Sequence, residues 1–258
     1  MKNIGRRSFL KKTSLSAAAF ATSPLIPSCK DSNIKVPISS GKYMGDFTAT
    51  KLEKVRIAFI GVGHRGVGHL KYLVNILGTE VVSISDLYEN NVKQSLKTIH
   101  QLKDDNQHSN VKTYWGSENK WKTMLQEVKP DAVFISTNWK NHAPMAIESM
   151  KNGAHVFVEV PLATSIKDLW DIVDTSEIMQ KHCMMMENVN YGRTELMYLN
   201  MCRNGIIGDF LHAEAAYIHE LRWQMNEVDR GTGSWRTPQY ATGKGNLYPT
   251  HGLGPVAQ

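Results

Sequence analysis

Three glycines carry the clearest chemistry in the chain. Gly61, Gly63 and Gly66, in the run Gly61-Val62-Gly63-His64-Arg65-Gly66, directly follow an apolar stretch and open an amphipathic one. In that spacing the first glycine permits a tight turn and the second lets backbone approach a pyrophosphate. The third lets a helix pack closely on its strand, with the helix N-terminus facing the phosphates. Asp86 lies twenty residues beyond Gly66, at the end of the next apolar run. A carboxylate there accepts hydrogen bonds from the adenosine ribose and repels a ribose phosphate, so the expected dinucleotide is NAD rather than NADP. The competing reading of Asp86 is a solvated acid at a strand end.

Other reactive residues fall at the ends of later apolar runs. Trp139, Lys140, Asn141 and His142 follow the run ending at Ser136; Glu159 and Val160 end the next; Glu187 and Asn188 end the one after. In open α/β sheets the carboxyl ends of the strands are where ligands bind. For the first group, a packed loop aromatic (Trp139) and a helix cap (His142) compete with cofactor contact. Met184-Met185-Met186 reads as core. The ten histidines form no H-E-x-x-H or other metal-ligand spacing, so no metal is expected.

The elements that must hold these groups alternate short apolar runs with amphipathic segments, the pattern of a doubly wound parallel sheet. Strands are predicted at Val55–Ile60, Val81–Ser85, Ala132–Ser136, His155–Glu159 and Cys183–Glu187. Helices are predicted between them, including Arg65–Leu77, Ala143–Asn152 before Gly153, and Ile166–Gln180 after a Thr164-Ser165 cap. Residues 52–190 thus form one nucleotide-binding domain. A linking helix over Tyr191–Asn204 ends at Gly205, and Phe210–His219 reads as a long strand opening a second domain, 191–258. Gly231 to Gly254 is Gly-rich and aromatic without clear periodicity. This second domain is expected to be incomplete, with Gln258 falling as a new helix starts.

Of the net charge of +6, residues 1–28 contribute Lys2, Arg6, Arg7, Lys11 and Lys12 and no acid. The rest holds 25 basic against 24 acidic residues, a net of +1. This leaves no basic face for nucleic acid. Arg6-Arg7 before Phe9-Leu10, then an Ala-rich apolar run through Ile26, reads as a signal for the twin-arginine export machinery, too short to be a stable membrane span. That route moves folded proteins, so a cofactor could be loaded first, and the expected location is the periplasm or cell envelope. Ile26-Pro27-Ser28-Cys29 also fits a lipoprotein cleavage box except for Pro27, which leaves a lipid anchor at Cys29 open, with residues 29–51 as linker. Cys183 and Cys202 lack metal-ligand spacing; buried free thiols are expected, with a disulfide between them open.

On Gly61 to Gly66, Trp139 to His142, Glu159-Val160, Glu187-Asn188-Val189 with Tyr191, and Trp235-Arg236 through Asn246-Leu247-Tyr248-Pro249-Thr250-His251-Gly252-Leu253-Gly254-Pro255, the chain resembles the glucose-fructose oxidoreductase and inositol dehydrogenase superfamily. Within it, it is most similar to glycoside hydrolase family 109, whose type activity is an NAD-dependent α-N-acetylgalactosaminidase. The resemblance spans Leu52 to Gln258 and implies a Rossmann domain followed by the start of an α+β open-sheet substrate domain. Family members continue past this point with at least one further substrate-contacting tyrosine. Two departures separate the chain from the dehydrogenase branch: Val160 replaces the usual catalytic lysine, and Pro249 and Leu253 stand where an Asp and a His four apart are usual.

The resemblance implies that His64, Arg65, Asp86, Trp139, Lys140, Asn141, His142, Glu159, Val160 and Asn188 line the NAD site. It implies that Tyr217, Arg236, Tyr248, Pro249, Thr250 and His251 contact a sugar, with Tyr248 and His251 as general acid and base in either order. The implied chemistry is oxidation at carbon 3, elimination across carbons 2 and 1, addition of water and return of the hydride, acting on glycans with a terminal α-linked N-acetylgalactosamine. A sugar oxidoreductase and an inactive cofactor-binding fragment are the alternatives. A packed loop tyrosine, a structural histidine and an arginine paired with a surface acid are the plainer readings of Tyr248, His251 and Arg236; His219 and Arg222 have no assignment.

Overall fold

The structure is a computed structural model that describes residues 41–102, 110–227, 233–243, 245–246 and 248–258. The expected signal and Cys29 lie outside the described residues. Six strands form one parallel sheet: β1 (Val55–Ile60), β2 (Thr79–Ser85), β3 (Lys112–Tyr114), β4 (Ala132–Ile135), β5 (His155–Val158) and β6 (Cys183–Met185). Their spatial order is β3-β2-β1-β4-β5-β6. The chain starts in the middle, winds to one edge, returns and winds to the other, which opens a crevice above the carboxyl ends of β1 and β4.

The strands read as near-continuous apolar runs because both faces are covered. Ala58, Ile60, Val133, Ile135, Val156 and Val158 point into one core, with Trp121, Met124 and Leu125 of α3 (Lys120–Val128) and Ala143, Ala146 and Met150 of α4 (Trp139–Lys151). Ile57, Phe59, Val81 and Ile84 point into the other, with Leu70 and Leu73 of α1 (His64–Leu73) and Val92 and Ile99 of α2 (Glu89–Leu102). Burying each such aliphatic side chain stabilises the fold by about 1.5–3 kcal/mol. Helix α5 (Ile166–Met179) starts where Ser165 accepts a bond from the Asp168 backbone N–H, and Gly153 and Gly205 follow their helices with positive φ, both as the sequence indicates.

Beyond β6 come a 3₁₀ turn (Asn188–Tyr191) and α6 (Arg193–Arg203), α7 (Arg222–Met225), α8 (Gly233–Thr242) and α9 (Thr250–Ala257). Here several expectations are corrected. Phe210–His219 is not a strand: no other described segment pairs with it, and a strand without a ladder leaves its backbone groups to solvent. The aperiodic stretch from Gly231 holds α8, and a further helix, α9, occupies the last residues rather than only starting at Gln258. Helix α4 starts at Trp139, four residues before the expected Ala143. Strand β3 escaped the sequence reading at three residues long. Met184 is exposed because β6 is the sheet edge. Cys183 and Cys202 are both free and only partly buried, and burial pushes the Cys183 thiol up to about 12. The described part of the linker is docked: Lys42 bonds backbone to backbone with Glu177, and the Gln180 side chain donates to the Lys42 carbonyl.

Two glycines five and seven residues after Gly61 test this packing. A Cβ on Gly66 would sit 2.1 Å from the Gly61 carbonyl oxygen, whereas one on Gly68, in the same helix, meets nothing within 4 Å. Gly66→Ala is expected to destabilise by about 1–3 kcal/mol, and Gly68→Ala to stabilise by about 0.5–1 kcal/mol. Urea unfolding midpoints check both; equal midpoints for the two variants would contradict the close helix–turn contact.

Candidate active site

A cavity of about 710 Å³ runs along the carboxyl edge of the sheet, within the size range of cofactor sites. The strand order arranges its walls in sequence: Asp86 after β2, the glycine turn after β1, Ser136 and Thr137 after β4, Glu159 and Val160 after β5, and Glu187 and Asn188 after β6. Glu187 itself is buried behind this wall, while the others line it. Residues of the C-terminal segment, among them Tyr217, Trp235, Arg236, Tyr248 and His251, close the far side.

The first half of the edge is built for a dinucleotide. Gly61 adopts φ 85°, a conformation that side chains resist, and passes so close to Ser136 that a Cβ would lie 2.6 Å from its carbonyl oxygen. On the Cβ side of Gly63 only the Asn91 amide lies within 4.0 Å, so that side is left open to a ligand. Helix α1 begins here with no side-chain cap, so its first N–H groups and positive end face the cavity. Asp86 Oδ2 accepts from the Val62 N–H at 2.8 Å, and Oδ1 accepts from the Tyr88 N–H and the Asn91 amide. Those bonds aim the carboxylate and leave lone pairs for ribose hydroxyls. These residues fit NAD.

Glu159, at the end of β5, is the buried charge of the middle section. Its Oε1 accepts from Arg65 Nε at 2.6 Å and meets His69 Nε2 at 2.5 Å, and Arg65 also donates to Asn188 Oδ1 at 3.2 Å. Burial opposes ionisation of Glu159, yet the hydrogen bonds from His69 and Arg65 and their charges together hold its carboxyl below the usual range. His142 is fully buried, its Nδ1 2.7 Å from the Pro161 carbonyl oxygen and its Nε2 3.0 Å from that of Thr137. Burial lowers its proton affinity against the pull of those two carbonyls and of Glu159. It braces the loops after β4 and β5 as well as lining the cavity.

The second half is an aromatic and acid–base cluster that the 3₁₀ turn, α8 and α9 bring together. Helix α9 lies so close to the 3₁₀ turn that a Cβ on Gly254 would sit 2.5 Å from Asn190 Oδ1. That seats His251 Nδ1 2.5 Å from Glu187 Oε1, both side chains being buried. Glu187 Oε1 also accepts from the Val189 N–H, while Oε2 has no hydrogen-bond partner among the described residues. The Tyr248 ring stacks parallel on His251, centroids 5.3 Å apart, and Tyr217 packs tilted on it at 4.4 Å. Trp139, from the first turn of α4, meets Tyr248, Trp235 and Tyr240 edge-on. Arg236 donates to Gln224 Oε1 at 2.9 Å and lies over the Trp139, Trp235 and Tyr248 rings. Burial pushes the Tyr248 phenol up to about 12, against the opposing charge of Arg236.

The cavity thus gathers Gly61, Gly63, His64, Arg65, Asp86, Trp139, Asn141, His142, Glu159, Val160, Asn188, Tyr217, Arg236, Tyr248 and His251, and Gly66 supports it from beneath. Three expected contacts fall outside it. Lys140 projects to solvent from the outer side of α4, and Pro249 and Thr250 form the start of α9, turned away from the lining that His251 joins one residue later. His69 was missed, though its place on α1 four residues after Arg65, on the same helix face, gave the signal; Glu187 was noted only as a strand-end residue. His219 contacts the Tyr217 hydroxyl at 3.1 Å, and Arg222 pairs with Glu220 at the surface. Among the described residues no group of three or more His, Cys, Asp or Glu is placed to hold a metal ion.

Comparison with known proteins matches two family models to successive parts of the chain. Residues 55–187 match the model of the oxidoreductase family with an NAD-binding Rossmann fold, and residues 191–258 match the C-terminal domain of glycosyl hydrolase 109. A glycosyl hydrolase family 109 protein of Akkermansia muciniphila is 58% identical over 216 residues, 84% of this chain and 44% of the relative. An alpha-N-acetylgalactosaminidase of Shewanella oneidensis is 47% identical over all of this chain and 55% of its own length. The chain spans about half the length of the curated relatives it matches. Among solved structures, myo-inositol 2-dehydrogenase of Lactobacillus plantarum matches with TM-score 0.51 and 25% identity, covering 60% of this chain and 43% of that one. Scyllo-inositol dehydrogenase of Lactobacillus casei, with bound NAD(H) and scyllo-inositol, matches with TM-score 0.53 at 16% identity over 60% of this chain and 43% of that one, a likeness of fold alone.

The raised Tyr248 pKa has a checkable sign. A folded-state value above the ordinary value of about 10 means that stability from the neutral phenol is present below pH 10 and is lost as pH rises toward 12. The phenolate absorbance of the wild type minus that of Tyr248→Phe is expected to stay flat through about pH 11 and to rise only near 12. A difference step centred near 10 would contradict the buried placement.

Proposed function

Because the chain belongs to glycosyl hydrolase family 109, within the oxidoreductase family that carries an NAD-binding Rossmann fold, we propose that its cavity hydrolyses a glycoside by a redox-assisted elimination. The substrate we assign is a terminal α-linked N-acetylgalactosamine, in keeping with the activity in the name of the Shewanella oneidensis relative. When bound, NAD would accept the hydride of carbon 3 of the sugar while the carbon 3 hydroxyl gives its proton to solvent, both to be returned at the end of the cycle, and the ketone so formed makes the proton on carbon 2 acidic. The chain's own residues then have protons to move. The Nδ1 of His251 is committed to Glu187, so Nε2 is the nitrogen available to take a proton, and the carboxylate behind the ring stabilises the imidazolium that forms. Tyr248 keeps its proton at neutral pH and stacks on that ring, so it is placed to donate to the leaving oxygen and to activate the water that replaces it. Arg236 and Tyr217 orient the sugar from the same side.

The observation that carries this reading is the engagement of both strand-end carboxylates. Glu159 is tied to Arg65 and His69, and Glu187 to His251. Glu187 is buried and does not line the cavity, so the two do not form a pair of cavity carboxylates of the kind that direct displacement uses. A sugar oxidoreductase is the second reading, favoured by the likeness to the myo-inositol 2-dehydrogenase of Lactobacillus plantarum; Val160 in place of a lysine favours the first. We further assign the protein to the cell envelope, exported folded with its cofactor by the twin-arginine route.

Full-length protein acting on an α-N-acetylgalactosaminide in heavy water is expected to place deuterium at carbon 2 of the released sugar, without net NADH accumulation. His251→Ala and Tyr248→Phe are each expected to cut turnover by about 10²–10⁴-fold while retaining NAD. Product free of deuterium at carbon 2 would overturn the elimination, and stoichiometric NADH release would establish the oxidoreductase reading in its place.

A further inference from the structure

The buried Glu159 cluster is larger than cofactor contact requires. A strand-end carboxylate could bind a ribose hydroxyl from a half-buried setting, as Asp86 is placed to do; Glu159 is instead buried, with Arg65 Nε and His69 Nε2 on the same oxygen, Oε1. Its Oε2 lies 3.2 Å from the N–H of Val160, and both residues line the cavity. The ring of His69 packs at 6.4 Å on Phe134, which fixes its orientation from below. Arg65 reaches on to Asn188, so the cluster spans the ends of β5 and β6.

The order of the sheet says which part of a dinucleotide meets this charge. With the adenosine ribose at Asp86 and the pyrophosphate at the glycine turn and the N-terminus of α1, the remaining half extends over β4, β5 and β6, toward Glu159. That half holds the nicotinamide, a cation when oxidised and neutral when reduced. A fixed negative charge beside it favours the oxidised form, and a fixed positive charge the reduced one.

We propose that Glu159, with Arg65 and His69 as its positioning residues, sets the redox poise of the bound nicotinamide, the carboxylate holding it toward the oxidised resting form and Arg65 limiting that bias. This rests on the reading of the cavity as an NAD site. A cycle that takes a hydride and returns it needs the two bound forms closely balanced, because a strong preference for either stalls one half. His69 completes the device by donating to Oε1, which keeps the carboxylate turned under the cavity floor.

The test compares dissociation constants for NAD+ and for NADH, titrated by tryptophan fluorescence into the full chain freed of nucleotide. Their ratio cancels every contact common to both forms, including those to adenosine and pyrophosphate. Glu159→Gln is expected to shift the ratio about tenfold toward NADH, equal to about 30 mV in the potential of the bound couple. Arg65→Gln, whose side chain is 53% exposed and so is not needed for the core, is expected to shift it in the opposite direction by about threefold. His69→Gln preserves a donor to Oε1 and is expected to hold the ratio within about twofold, with His69→Leu departing further. Loss of affinity for both forms in equal measure, or shifts of the same sign in Glu159→Gln and Arg65→Gln, would overturn the proposal and leave the NAD site standing. Failure of the wild type to bind either nucleotide would overturn the proposal and the site together.

Discussion

The contact on which the site depends is the buried pair between Glu187 and His251. It joins the last strand of the sheet to a helix 64 residues later, and it crosses from one matched domain to the other. An isolated carboxylate at that depth would be costly, and an isolated imidazole there would have no partner to align it. Together they satisfy each other and fix which ring nitrogen faces the cavity. Helix α9 must lie against the 3₁₀ turn for the pair to form, and glycines at 252 and 254 permit that approach, one against Ala215 and the other against Asn190. The stacked position of Tyr248 and the packing of Tyr217 then follow from where His251 is held.

Around that pair the cavity separates charges by strand. Asp86 at the end of β2 is placed for a ribose and the glycine turn after β1 for phosphates, while Glu159 after β5 holds Arg65 and His69 and Glu187 after β6 its histidine. A parallel sheet makes this possible because all its carboxyl ends open on one side, so residues distant in sequence become neighbours along a single edge. Trp139 links the two halves. It occupies the first turn of α4, and its ring is covered edge-on by Trp235, Tyr240 and Tyr248, so the C-terminal segment is held on the Rossmann domain by aromatic contacts as well as by the buried pair.

The Rossmann half is legible in the sequence because its signals are local. Glycine spacing, capping at Ser165, and apolar runs buried on both faces determine strand and helix without reference to distant residues, and the strand-end positions of Asp86 and Glu159 follow from them. Elsewhere tertiary context decides. The predicted start of α4 at Ala143 falls four residues late, because the helix begins at Trp139, whose ring packs against aromatic neighbours from α8. The segment 210–219 has strand composition, yet composition cannot supply the hydrogen-bonding neighbour that makes a strand. In α8 and α9 internal prolines and glycines hide the helical period. The roles of His69 and Glu187 are hidden for another reason: each acts through a partner 90 and 64 residues away, Glu159 and His251.

The central claim is that a hydride leaves the sugar and returns to it within one turnover. It is tested most directly with an α-N-acetylgalactosaminide carrying deuterium at carbon 3, followed by stopped-flow in the reduced-nicotinamide absorbance band. The account predicts a transient that rises and decays on each enzyme molecule, slowed in its rise by the label, and a product that retains deuterium at carbon 3. Hydrolysis with no transient and no isotope effect at that carbon would contradict it.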